Sequence, residues 1–143
     1  IDNDPNTKYL NFGEEGSGFI VTPSAGPSFL DSFEIITAND SPERDPVVWM
    51  IYGTNDEIVT LDNEDGMAED WTLISGGTLD LPEERLTLGS LYIICNQAEP
   101  YTSYKVVFET VKDAAAANSM QIAEFQLYGT PVPVEEPPAE PME

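Results

Sequence analysis

The chain of 143 residues has no histidine, a single cysteine and only five Lys or Arg residues. Each shortage removes a class of function. Without histidine, and with no Ser or Lys in a recognisable nucleophile motif, general-base and triad chemistry lack their usual parts. Paired carboxylates for glycoside hydrolysis are available in so acidic a chain, but nothing sets one pair apart, and the chain reads as a non-enzyme. Cys95 permits no intrachain disulfide and, ending Leu91-Tyr92-Ile93-Ile94-Cys95, is expected to be a buried, inert thiol. No apolar run approaches the ~20 residues that a membrane-spanning helix needs, and no signal peptide opens the chain. Nor is there an initiator Met, so the sequence reads as a processed product or an excised piece. Five basic residues face 27 acidic ones, a formal charge of −22. Such a surface repels phosphate backbones and anionic bilayers, so nucleic acid and acidic lipid are poor partners, while the lack of a long apolar run argues against membrane insertion; it favours bound cations and basic or neutral ligands such as sugars.

What is present is a series of short alternating segments. Tyr9 to Phe12 and Gly18 to Thr22 read as strands separated by a loop with three glycines. Phe29, Phe33 and Ile35 fall on one face of the next segment by period two, with Ser32, Glu34 and Ile36 opposite. Val47 to Tyr52 is apolar throughout, as in a strand buried on both faces. Trp71 to Ile74 is a strand followed by a Gly76-Gly77 turn; Leu91 to Cys95 and the alternating Tyr104, Val106 and Phe108 add two more, and Met120 to Leu127 closes the sheet. Trp49 and Trp71, both in apolar strand contexts, are expected in the core. Asp113 to Asn118 holds enough alanine for one helical turn, too short to stand alone. Eight or nine strands with no sustained helical period indicate an all-β sandwich spanning residues 1–129. Residues 130–143, with five prolines and four glutamates, read as an extended tail or linker.

Two acidic stretches invite a cation. In Asp2-Asn3-Asp4-Pro5-Asn6-Thr7, one tight turn converges two carboxylates and a hydroxyl with nearby carbonyls, a hard-oxygen nest suited to Ca²⁺ or, equally, an Asx turn capped by Thr7. In Asp62 to Asp70, an EF-hand fails. With Gly66 at the sixth position of the loop, Leu61 and Thr72 fall at the first and twelfth, where carboxylates are needed. A looser site from Asp62, Glu64 and Asp65 stands beside the alternative of a solvated acidic loop.

Four stretches taken in order resemble a known family. Asp2-Asn3-Asp4-Pro5-Asn6-Thr7-Lys8-Tyr9 resembles the Asp-Gly-Asp-x-x-Thr-x-Trp signature of the discoidin-like family, the coagulation factor type C domains and galactose-binding carbohydrate modules, with Asn3 for Gly and Tyr9 for Trp. Trp49 to Asp56 and Trp71 to Ile74 are similar to that family's Gly-Ser-Asn-Asp turn and following Trp strand, and Gln121 to Gly129 to its last strand. The resemblance implies a jelly-roll fold of the galactose-binding kind, a structural Ca²⁺ held by Asp2, Asp4, Thr7 and Glu124, and a sugar site in loops at one end of the sandwich. Asn39, Arg44, Asn96, Gln97 and Tyr101 are the loop residues suited to that site. Arg44, set among Asp40, Glu43 and Asp45, reads first as holding its own loop together by bidentate pairing, with the sugar-hydroxyl contact as the sharper alternative.

The resulting expectation is a calcium-stabilised, extracellular or cell-surface recognition and adhesion module whose partner is a glycan or cell-surface polysaccharide. The alternative is a structural subunit of a self-assembling extracellular filament or surface layer. Its copies would join through residues 130–143 and the open sheet edge left where the family's first strand would stand.

Overall fold

The computed structural model describes residues 8–11, 17–60, 68–95 and 97–132. They form nine strands: β1 (Tyr9–Asn11), β2 (Ser17–Val21), β3 (Ser28–Ile36), β4 (Pro46–Thr54), β5 (Thr72–Thr78), β6 (Tyr92–Ile93), β7 (Ser103–Val111), β8 (Met120–Ile122) and β9 (Glu124–Pro131), with a 3-10 turn at Pro42–Arg44 between β3 and β4. The pairings are antiparallel. One sheet has the order β2-β7-β4-β5, a second β6-β3-β9, and β1 pairs with β8 as a short ribbon. The expected all-β sandwich is the architecture that forms. Among the described residues no helix is long and apolar enough to cross a membrane, a statement that does not touch membrane β-barrels.

Period-two alternation builds the core. Tyr104, Val106 and Phe108 of β7 are fully buried and meet Trp49 and Ile51 of β4 from the same sheet, and Leu30, Phe33, Ile35 and Phe125 from the facing one. Phe33 is the hub, stacked on Phe125 at 5.0 Å and edge-on to Trp49 at 4.9 Å, while Phe19 closes on Phe125 at 5.1 Å. Burial of each such ring contributes on the order of 2–3 kcal/mol, so this aromatic centre fixes the spacing of the two sheets.

Four sequence expectations are corrected. A register shift between Leu30 and Ser32 flips the start of β3, so Leu30 rather than Phe29 points inward and Phe29 is 36% exposed. Gly76 and Gly77 lie inside β5 rather than in a turn. A Cβ on Gly77 would sit 3.0 Å from Trp49 Nε1, and one on Gly76 would sit 3.0 Å from the Trp49 carbonyl oxygen. Cys95 is exposed, not buried: Ile94 enters the core while its N–H donates to Asp31, and alternation turns the next side chain outward. Trp71 is half-buried on the outer face, where it and Tyr52 flank the ammonium of Lys105, each ring centroid 5.0 Å away.

Register also defines two ends. At one, β3 ends and β9 begins with Ile36 opposite Glu124, and β4 begins opposite the end of β7. At the other, β3 begins at Ser28, bridged to Tyr101, and β4 ends at Thr54 opposite Ser103. Nine-residue strands at ~3.3 Å per residue hold these ends roughly 26 Å apart.

Candidate functional site

At the first end the central feature is Glu124. The residue is 4% exposed, and neither carboxylate oxygen has a hydrogen-bond partner among the described residues. A buried carboxylate without a partner is costly, and native proteins pair such a group or give it a cation. Tyr9, two residues after Thr7, is opposite Ile122, two residues before Glu124. Asp2, Asp4 and Thr7 themselves lie outside the described residues, and among the described residues no three acidic, Cys or His side chains converge as a metal centre. What the structure does present is one orphaned acidic donor, of the hard-oxygen kind that Ca²⁺ takes, at the start of β9, two residues beyond the end of the strand that β1 pairs against.

Beside it runs the loop from Thr37 to Asp45. Asn39 is exposed and Arg44 half-buried, with its Nε buried and without an acceptor among the described residues. Each stands next to a pinned aspartate. Asp40, neighbour of Asn39, accepts from Lys8 Nζ at 3.0 Å and from the fully buried Gln121, whose Nε2 donates to the Asp40 carbonyl at 2.6 Å and to Oδ1 at 3.0 Å. Hydrogen bonds from Gln121 and then Lys8 hold the Asp40 carboxyl below its ordinary pKa.

Asp45, neighbour of Arg44, is fully buried and accepts a bidentate pair from Arg85, Nη1 to Oδ1 at 2.9 Å and Nη2 to Oδ2 at 2.7 Å, with Lys112 Nζ 3.3 Å from Oδ2. The fork geometry is the strong form of the pair, and Asp45 raises the Arg85 pKa further. The loop is therefore closed by Arg85, from the segment between β5 and β6, rather than by Arg44. No local spacing in the sequence signals Arg85. Gln121 did leave a signal, as a lone amide in the apolar run from Met120 to Ala123.

The five residues assigned to a sugar site do not come together. Asn39 and Arg44 share the loop just described; Gln97 and Tyr101 lie at the opposite end, and Asn96 is outside the described residues. Nor are the last two available to a ligand. Tyr101 is 6% exposed, edge-on to Tyr104, and lies over Gly53 so closely that a Cβ there would fall 2.4 Å from the ring. Gln97 accepts the Leu30 N–H at 2.8 Å, while its Nε2 lies 2.8 Å from the Ser28 carbonyl, 2.9 Å from the Tyr104 hydroxyl and 3.0 Å from the Glu99 carbonyl. The Tyr104 hydroxyl donates to the same Ser28 carbonyl. Loop position suggested exposure; the amide instead bonds the Leu30 N–H, beside the register shift, and the Ser28 carbonyl, which also accepts the Tyr101 N–H at 3.3 Å.

Glu69, shortly before β5, belongs to this second end. Asp62, Glu64 and Asp65 lie outside the described residues. Glu69 beyond them accepts from the N–H groups of Val59 and Thr60 at 2.7 and 2.8 Å and from the Thr60 hydroxyl at 2.5 Å, and these bonds, the hydroxyl first, lower its pKa to about 2.

No family model matches the chain. Over 99 residues it is 29% identical to a peptide-N(4)-(N-acetyl-β-glucosaminyl)asparagine amidase of Arabidopsis thaliana, covering 69% of this chain and 12% of that protein. It thus spans about one eighth of the amidase's length. Among solved structures, a SusE-like protein superposes with a TM-score of 0.63 at 15% identity over 92% of this chain and 56% of its own. The third CBM32 module of a Clostridium perfringens family 31 glycoside hydrolase gives 0.59 at 15% identity, covering 91% and 80%. Another C. perfringens CBM32 module, solved with GalNAc-β-1,3-galactose, gives 0.55 at 18% identity, covering 90% and 79%. With its strand order and these superpositions together, the chain has the galactose-binding-like, discoidin-like β-sandwich fold of the CBM32 carbohydrate-binding modules.

Proposed function

We propose that this domain is a non-catalytic recognition module that binds a neutral glycan, outside the cell or at its surface, and is stabilised by Ca²⁺. The observation that carries the reading is the sandwich shared with carbohydrate-binding modules, one of them solved with a disaccharide. The amidase whose sequence is similar is named for an N-acetylglucosaminyl-asparagine substrate, which suits a glycan-reading domain within a larger enzyme. The site falls at the Glu124 end. There Asn39 and the Arg44 guanidinium supply the donors and acceptors that read sugar hydroxyls, on a loop with rigid neighbours. A charge of −22 directs the choice toward uncharged sugars over uronates or sulfated chains.

Calcium fits the same end through this chain's own residues. Glu124 would supply a buried carboxylate, and Asp2, Asp4 and Thr7, which lie outside the described residues, would supply the other side-chain donors. When bound, the ion would neutralise the buried charge and fasten the first turn to the last strand. Glycan-array binding in millimolar calcium tests the recognition reading. Binding of neutral oligosaccharides that Arg44→Ala abolishes supports it; no sugar retained at millimolar concentration removes it.

A further inference from the structure

Among the described residues only two outside glycine hold a left-handed backbone, Ser41 at φ 50° and Leu86 at φ 52°. Both fall at the Glu124 end, on loops bonded to each other. The Leu86 N–H donates to the Ala38 carbonyl at 3.1 Å and the Thr37 N–H to the Thr87 carbonyl at 3.0 Å. The fully buried Thr37 hydroxyl donates to the Glu84 carbonyl at 2.8 Å and accepts from the Thr87 N–H at 3.0 Å. Arg85, the residue before Leu86, is tied to the Asp40 carbonyl and to the Asp45 carboxylate. Leu86 is thus held from both flanks in a conformation that a residue with a Cβ adopts only at a cost.

Core packing does not explain that cost. Leu86 is 46% exposed and stands outside the core cluster, at a backbone position where Gly would be unstrained and Asn tolerated. What the placement achieves is an apolar side chain beside the loop that carries the polar reading groups, bonded through its own N–H to the residue before Asn39.

We propose that Leu86 is a specificity-determining residue that selects a 2-acetamido sugar, its side chain meeting the acetamido methyl while Asn39 exchanges hydrogen bonds with the acetamido N–H and carbonyl. This rests on the glycan reading above. An acetamido group joins a methyl to an amide, so it needs an apolar contact and a donor-acceptor pair side by side. The bond from Leu86 to Ala38 sets an aliphatic side chain and a primary amide, the latter fully able to donate and accept, on adjoining stretches of backbone. A plain hexose presents a hydroxyl at the same carbon, which an aliphatic side chain can only desolvate. A single methyl in an apolar contact discriminates by about tenfold or more, and the partial exposure of Leu86 places the preference at the low end of that range.

The test titrates the full chain with two matched sugar pairs, glucose with N-acetylglucosamine and galactose with N-acetylgalactosamine, alongside thermal melts of the wild type, Leu86→Gly and Leu86→Asn. Within each pair only the acetamido group differs. In the wild type the acetamido member binds about tenfold tighter in at least one pair. Leu86→Gly, freed of the left-handed strain, melts close to the wild type or above it and loses the preference. Leu86→Asn keeps the backbone conformation and loses the preference too. A merely structural side chain would lower the melt instead. Equal binding within both pairs, a preference that survives both substitutions, or a Leu86→Gly protein that melts well below the wild type overturns the assignment and leaves the glycan reading standing. Binding confined to other neutral sugars on the array does the same. No neutral sugar retained at all removes the glycan reading, and the assignment falls with it.

Discussion

The two ends of the sandwich are built from similar materials to opposite effect. At the Tyr101 end, polar side chains are consumed internally: Gln97 and Tyr104 converge on Ser28, Glu69 caps the backbone of Val59 and Thr60, and Asp56 accepts from the Asp70 N–H at 2.9 Å. At the Glu124 end, four of the five basic residues gather, two closing on Asp45 and one on Asp40, yet a buried carboxylate, an exposed Asn39 and a buried Arg44 nitrogen remain without partners among the described residues. One end, the buried Trp71 Nε1 apart, is finished by its own chain. The other is rigidly framed and left with donors and acceptors to spare, the condition for a site whose partners come from outside.

The comparison breaks most severely if the Tyr101 end is the one that reads ligand. Tyr101→Ala is expected to cost about 3–5 kcal/mol, the range for emptying a buried aromatic site, and any loss of sugar binding should track loss of folded protein. Chemical denaturation alongside sugar titration of the remaining folded fraction checks this. Asp45→Ala comes next. It leaves Arg85 and Lys112 facing a buried gap, with an expected loss of about 3 kcal/mol from breaking a buried pair, and sugar affinity should fall with it because Arg44 is released.

The Glu69 cap gives a pH signature confined to the finished end. Its folded pKa of about 2 lies below the unfolded value of 4.5, so the ionised form supports folding above pH about 4.5. That support is lost as pH falls toward 2. A Glu69→Gln protein should show a flatter stability profile than the wild type between those limits in acid titrations of the melt. The smallest stability effect is expected at the open end: Arg44→Ala should shift unfolding free energy by under about 0.5 kcal/mol, as for ordinary surface changes, while removing sugar binding.

The sandwich was legible because its signals are periodic. Trp49, Phe33, Tyr104, Val106 and Phe108 alternate as core residues must, and the order of four short motifs pointed to the fold that the superpositions support. Where reading failed, a tertiary event displaced a local rule. The bulge in β3 exchanged Phe29 for Leu30. The Trp49 indole and carbonyl left room only for glycines in mid-strand. Tyr101 and Gln97 looked like rim residues because their segment is polar, but Tyr101 pairs with the Ser28 backbone and Gln97 bonds the Ser28 carbonyl and the Leu30 N–H, which draws both inward. Long-range pairs such as Arg85 with Asp45, 40 residues apart, have no period and no motif, so they surface only in three dimensions.

Calcium at Glu124 is tested most directly by melting the wild type and Glu124→Gln in calcium and in chelator. A buried, unpaired carboxylate burdens the ion-free fold, so in chelator the Gln variant should melt at or above the wild type. In calcium the wild type should rise above the variant, and the two curves change order. Identical wild-type melts in both solutions, with Glu124→Gln below the wild type throughout, would contradict the account.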